Sequence, residues 1–187
     1  IAEAGQAKKV RALVLTGAGS AAFCSGLNLH ELENLTVAHA QRIANAFTEL
    51  FASLLRFQKP FVIAANGSAV GAGFGLVLQA DLAVASKDAF FGTPEIHHGV
   101  VPVLILEAMF HRLPFKVANR LLLLGDRLSA EEALKLGVVN QIVASDAVLE
   151  SALQTAFAVA KFDPTTLSQI KYVRNALIAK DAEQSLQ

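Results

Sequence analysis

The chain of 187 residues has a single cysteine, Cys24, so an internal disulfide framework is excluded and a reducing compartment such as the cytoplasm is expected. It has no excess charge of either sign, because 16 Lys and Arg balance 16 Asp and Glu. That balance removes the long-range attraction on which nucleic-acid binding rests, so no nucleic-acid partner is expected. No uninterrupted apolar run approaches the roughly 18 residues that would span a bilayer, so no membrane association is expected either. Linkers rich in Pro, Gly or Ser, internal repeats and low-complexity tracts are also missing. One main domain is the reading for this length.

Apolar residues, at 53% of the chain, are what it has in plenty. They are spread through amphipathic and strand-like segments, and the surplus is assigned to a core plus a subunit interface. Cys24, for lack of a local base, reads as a small buried apolar residue rather than a nucleophile.

Val10 to Thr16 is an apolar run ending in Gly17-Ala18-Gly19-Ser20, the pattern of a buried strand and a loop. Ile43, Phe47, Leu50 and Leu54 recur at helical spacing between His39 and Phe57. Strands are expected at Phe61 to Ala65, Leu82 to Ala85 and Val138 to Val143, with a short extended piece at Phe90 and Phe91, and a helix from Gly73 through Gln79. Strands alternating with helices imply right-handed crossovers and a mainly parallel sheet. Ser129 and Glu132 form a capping box, Gly137 stops that helix, and Asp163-Pro164 opens the last one.

Two glycine-bearing turns stand out, Phe23-Cys24-Ser25-Gly26-Leu27-Asn28 and Asn66-Gly67-Ser68-Ala69-Val70-Gly71-Ala72-Gly73. Each closes an apolar run and precedes helix-compatible sequence. One backbone N–H from each, meeting on a single oxygen, would stabilise negative charge developing there, and small residues let a substrate approach the backbone. Gly92-Thr93-Pro94-Glu95 then supplies a carboxylate just past another strand-like run.

These segments, together with Lys59-Pro60-Phe61-Val62-Ile63-Ala64-Ala65-Asn66-Gly67, Ala80-Asp81-Leu82-Ala83-Val84-Ala85-Ser86 and Leu124-Gly125-Asp126-Arg127-Leu128-Ser129-Ala130-Glu131-Glu132-Ala133, resemble the crotonase superfamily of enoyl-CoA hydratases and isomerases in order and spacing. The resemblance runs along essentially the whole chain. It implies an α/β crotonase (ClpP/crotonase-like) fold of repeated ββα units, with a core over residues 1–113 and a C-terminal helical, trimerisation region over 114–187. It implies an acyl-CoA substrate, CoA entering only as part of that substrate and no separate cofactor, fatty-acid metabolism as the setting, and assembly as a trimer or a dimer of trimers. On the same comparison a start segment of a few tens of residues, carrying an early strand pair and part of the CoA site, would precede Ile1.

Carried over residue by residue, the resemblance puts the oxyanion hole at the N–H groups of Leu27 and Ala72. Ser25, Gly26, Asn28, Gly71, Gly73, Pro102 and Lys171 fall at substrate- or CoA-binding positions, with Arg174 a further cation on the last helix. Family hydratases carry two glutamates, and here the corresponding positions hold Gly75 and Glu95. One carboxylate can take a proton from the α-carbon and return it to the γ-carbon, so Glu95 alone points to double-bond isomerisation. A hydratase with a substitute second acid/base, His98 (or His97) or Glu107, is the alternative, as are a hydrolase or decarboxylase and a silent CoA-ester-binding or interaction module. A second departure is Val103-Leu104-Ile105-Leu106, bulky where hydratases are glycine-rich, which would wall the acyl pocket with a helix.

Other motifs fail. Glu95, His97, His98 and His111 lack the spacing of metal ligands, so no metal is expected. Gly71-Ala72-Gly73-Phe74-Gly75 is no dinucleotide fingerprint, there is no P-loop, and Gly67-Ser68-Ala69-Val70-Gly71 lacks the order of a nucleophile elbow.

Overall fold

The computed structural model describes residues 1–28 and 36–184, the side chains only to residue 178. After a short N-terminal helix, α1 (Ala2–Gln6), the chain repeats one pattern three times. A strand of one sheet leads through a tight turn into a strand of a second sheet, and helical structure follows. The first unit is β1 (Leu13–Thr16), β2 (Ala22–Cys24) and α2 (Val37–Arg56); the second is β3 (Phe61–Ala65), β4 (Ser68–Val70) and α3 (Ala72–Gln79). The third is β5 (Leu82–Ser86) and β6 (Phe90–Gly92), a 3-10 turn at Pro94–His98, then α4 (Val103–Arg112) and α5 (Phe115–Leu124).

The remaining elements are β7 (Arg127–Ser129), α6 (Ala130–Lys135), β8 (Gln141–Val143), α7 (Val148–Ala160) and α8 (Pro164–Gln184). Strands β1, β3, β5 and β8 form one parallel sheet in that order. Strands β2, β4, β6 and β7 form the other, parallel except for the antiparallel β6–β7 pair. The expected single, mainly parallel sheet is therefore two sheets. Strands β2, β4 and β7 are three residues long, too short to carry a two-residue period.

Phe61-Val62-Ile63-Ala64-Ala65 is buried along its whole length, which is why it is apolar at every position rather than at alternate ones. On one face lies the main core, including Phe23, Phe51, Leu54, Phe74, Phe91, Ile105 and Met109. On the other, Val62, Ala64 and Val84 meet Val148, Ala152 and Ala156 of α7. Thr36 caps α2 by accepting from the His39 N–H, and Ser129 and Glu132 form both halves of the capping box on α6. Asn66 ties the first two units together: its Oδ1 accepts from Gly17 N–H at 3.0 Å and its Nδ2 donates to Gly19 O at 2.8 Å.

Asp81, between α3 and β5, accepts from the Phe61 N–H at 2.7 Å. It also receives Lys171 Nζ and Arg174 Nη1 of α8, each at 2.6 Å. Lys171 donates to Lys59 O as well, at 2.8 Å, so α8 is clamped to the core through a largely buried triad. Burial pushes the Lys171 ammonium down from the ordinary lysine range, while Asp81 holds it up.

Candidate active site

Three successive junctions converge beside the second sheet. The segment after β2 gives Ser25, Gly26 and Leu27, the one after β4 gives Gly71 and Ala72, and the one after β6 gives Pro94 and Glu95. They line one cavity of about 140 Å³, with Phe47 of α2, His98, Val100, Val101, Pro102 and the first residues of α4, Val103, Leu104 and Ile105. Among the described residues Glu95 and His98 are its titratable groups, Ser25 adds a hydroxyl-bearing side chain, and the rest of the wall is apolar or backbone.

The two glycine turns touch. Gly26 has φ +81°, and a Cβ built on it would lie 3.4 Å from Ala72 N and 3.0 Å from Val70 O. Gly71 has φ +54° and is the N-cap of α3, while its own N–H donates to Gly92 O at 3.0 Å. Ala72 is thus the first residue of a helix, where an N–H has no intrahelical acceptor and the helix dipole is positive. Gly73 lies so close to Cys24 O that a side chain there would strike the backbone. Cys24, expected to be buried, is half-buried and packs against the core.

Glu95 sits in the 3-10 turn, whose N-terminal end is held by Thr93 Oγ1 donating to Leu121 O at 3.0 Å. Its Oε1 lies against Gly71, and its Oε2 is buried with no hydrogen-bond partner among the described residues. Burial raises the carboxyl above the usual glutamate range; a backbone hydrogen bond at Glu95 and the charge of His98 pull it back in part. A carboxylate so placed is a stronger base than a solvated one, a property wanted of a group that takes up a proton.

The adjacent histidines separate. His98 lines the cavity, whereas the His97 ring packs on Gly125 at the end of α5. Glu107 is exposed and borders a different hollow, beside Leu55, Arg56, His111 and Arg112, so it is not brought to Glu95. Lys171 does not border the cavity, and its ammonium is already engaged by Asp81 and Lys59 O. Asn28 is exposed, at the edge of the described residues, and engages a partner of its own. Among the described residues no group of three His, Cys, Asp or Glu is placed to hold a metal ion, and no helix is long and apolar enough to cross a membrane.

Gly75, one helical turn beyond Ala72, has no room for a side chain. A Cβ there would lie 2.5 Å from Ile105 Cγ2 and 3.0 Å from Phe51 Cζ. Sequence reading singled out the bulky stretch of α4 but not Phe47, whose place on the apolar stripe of α2 was the only signal available.

The sequence model of the enoyl-CoA hydratase/isomerase family matches residues 1–187. A carnitinyl-CoA dehydratase of Proteus mirabilis is 34% identical over 171 residues, covering 89% of this chain and 64% of that protein. The chain thus spans less than two thirds of that relative's length. A structure of an enoyl-CoA hydratase subunit I from Geobacillus kaustophilus superposes with a TM-score of 0.86 at 34% identity, covering 94% of this chain and 67% of the other. A carnitinyl-CoA dehydratase structure from Mycobacterium avium gives 0.80 at 36% identity, covering 92% of this chain and 68% of the other.

Proposed function

The chain belongs to the enoyl-CoA hydratase/isomerase family and has its crotonase fold, and from that premise we propose that it is an acyl-CoA-processing enzyme that moves the double bond of an enoyl thioester. The N–H groups of Leu27 and Ala72 hold the thioester oxygen, and Glu95 carries the proton. Starting from a 3-enoyl thioester, the Glu95 carboxylate removes a proton from C2, and the C–H electron pair delocalises into a dienolate whose charge rests on that oxygen. The same carboxyl returns the proton to C4, so the double bond moves from C3–C4 to C2–C3 and the carboxylate is regenerated. No water is consumed.

The observation that carries this reading is that, among the described residues, one carboxylate borders the cavity, with Ile105 filling the space beside Gly75 where family hydratases have a second glutamate. The absorbance of the conjugated enoyl thioester tests it. Signal should grow on adding the protein to 3-enoyl-CoA and change little with trans-2-enoyl-CoA.

Hydration, or its reverse, is the second reading, favoured by His98 on the same wall and by the names of the dehydratase relatives. There His98 would serve as the further acid/base, and absorbance would fall with trans-2-enoyl-CoA. Exposed Ile170, Tyr172, Val173 and Leu177 on α8 support assembly of several copies as a trimer or a dimer of trimers.

A further inference from the structure

Ile105 fills a space that a catalytic side chain at Gly75 would need. It is 2% exposed, yet it borders the cavity, and its Cγ2 lies 2.5 Å from where a Gly75 Cβ would be. Phe51 closes the same space from α2, its ring edge 3.0 Å from that point. Gly75 lies three residues after Ala72 on α3, so a side chain at 75 leaves the helix on the same side as the Ala72 end of the cavity.

We infer that Ile105 is the residue that decides which reaction this site performs: a wedge, locked to Gly75, that keeps an acid/base and its water off the α3 wall and so confines the chemistry to proton transfer by Glu95. The inference rests on the isomerase reading above. Ile105 and a side chain at position 75 exclude one another, since a Cβ there would lie 2.5 Å from Ile105 Cγ2. Hydration adds the hydroxyl and the proton of one water across C2 and C3, so it needs a group to orient that water. Where Ile105 borders the cavity, with Phe51 packed behind it in the core, its apolar side chain offers the water no hydrogen-bond partner. Exchanging the pair as a unit should admit the second group.

The test uses four variants, Gly75→Ala, Ile105→Ala, their combination, and Gly75→Glu/Ile105→Ala, assayed with 3-enoyl-CoA and trans-2-enoyl-CoA and by thermal unfolding. Gly75→Ala should lower the unfolding midpoint sharply in wild-type background and by much less beside Ile105→Ala. Additive shifts would overturn the wedge, and that readout does not depend on which reaction the enzyme runs. The Gly75→Glu/Ile105→Ala protein should hydrate trans-2-enoyl-CoA about a hundredfold faster than wild type, the scale of one positioned acid/base. A folded double variant with no gain would overturn the assignment of Ile105 as the determinant. Failure of the isomerase reading would show separately, as a wild-type protein inert towards 3-enoyl-CoA.

Discussion

Glu95 Oε1 stands 2.6 Å from the point where Gly71 would carry a Cβ, so the carboxylate of one turn rests directly on the bare Cα of another. Gly71→Ala therefore adds two insults, a left-handed φ of +54° imposed on an L-residue and a displaced carboxylate. With ψ at −127° the residue lies outside the left-handed helical basin, and holding an L-residue in so sparsely populated a region costs about 1–3 kcal/mol. Misplacement of the carboxylate by around an ångström should lower kcat by about a hundredfold. Stopped-flow rates together with thermal unfolding would separate the two.

Glu95→Gln keeps the shape and removes the base. Turnover of 3-enoyl-CoA should fall by about a hundred- to ten-thousandfold, with CoA-ester affinity preserved by calorimetry. Unchanged turnover would sink the assignment of Glu95.

The same substitution has a pH signature in stability. Glu95 is raised in the folded state, so its ionised form is favoured in the unfolded chain and folding loses stability as pH rises from the ordinary glutamate range through the raised value. The Gln variant should thus unfold at a higher temperature than wild type at neutral pH. That advantage should disappear in acid, below the ordinary glutamate range. A constant difference across pH would mean that burial of the carboxylate is not its origin.

His98→Gln removes a charge that lowers the Glu95 carboxyl, so the acidic limb of the rate profile should move to higher pH. His97→Gln should leave that limb where it is, because its ring packs on Gly125. If His98 is instead the further acid/base of a hydratase, its replacement abolishes loss of the trans-2-enoyl-CoA signal altogether.

Asp81→Ala strips the shared anion from Lys171 and Arg174. Breaking a buried pair by removing one partner typically costs 3–5 kcal/mol, and the partial exposure of Arg174 argues for the lower end, about 3 kcal/mol. Denaturant unfolding measures the loss, and faster proteolysis within α8 would locate it.

Much of this architecture can be read before any coordinates exist, and the gaps have definite causes. Phe61 to Ala65 declares itself because full burial demands unbroken apolarity, and Ser129 with Glu132 because a capping box is local. The second sheet stays hidden because three-residue strands have no period. His97 and His98 are equivalent in sequence, yet in a 3-10 turn successive side chains point about 120° apart, so only one meets the cavity. Lys171 reads as a ligand-binding cation, and its ion pair with Asp81, ninety residues earlier, is not legible because the two are brought together only by the fold. Glu95 was legible through its resemblance and its place after an apolar run. The exclusion at Gly75 was not, because it depends on the packing of α2 and α4 against α3.

Because β2, β4 and β6 are neighbours in one sheet, the three junctions that end them are spaced by the sheet itself. The ruler is the separation of hydrogen-bonded strands, about 4.8 Å. The first two junctions present main chain to the cavity and the third a carboxylate, so outside Gly26, Gly71 and Gly73, where a side chain would strain or collide, substitutions in the first two leave the strand spacing untouched, while a single codon at the third removes the carboxylate. A scaffold of this kind separates what must stay from what is free to diverge.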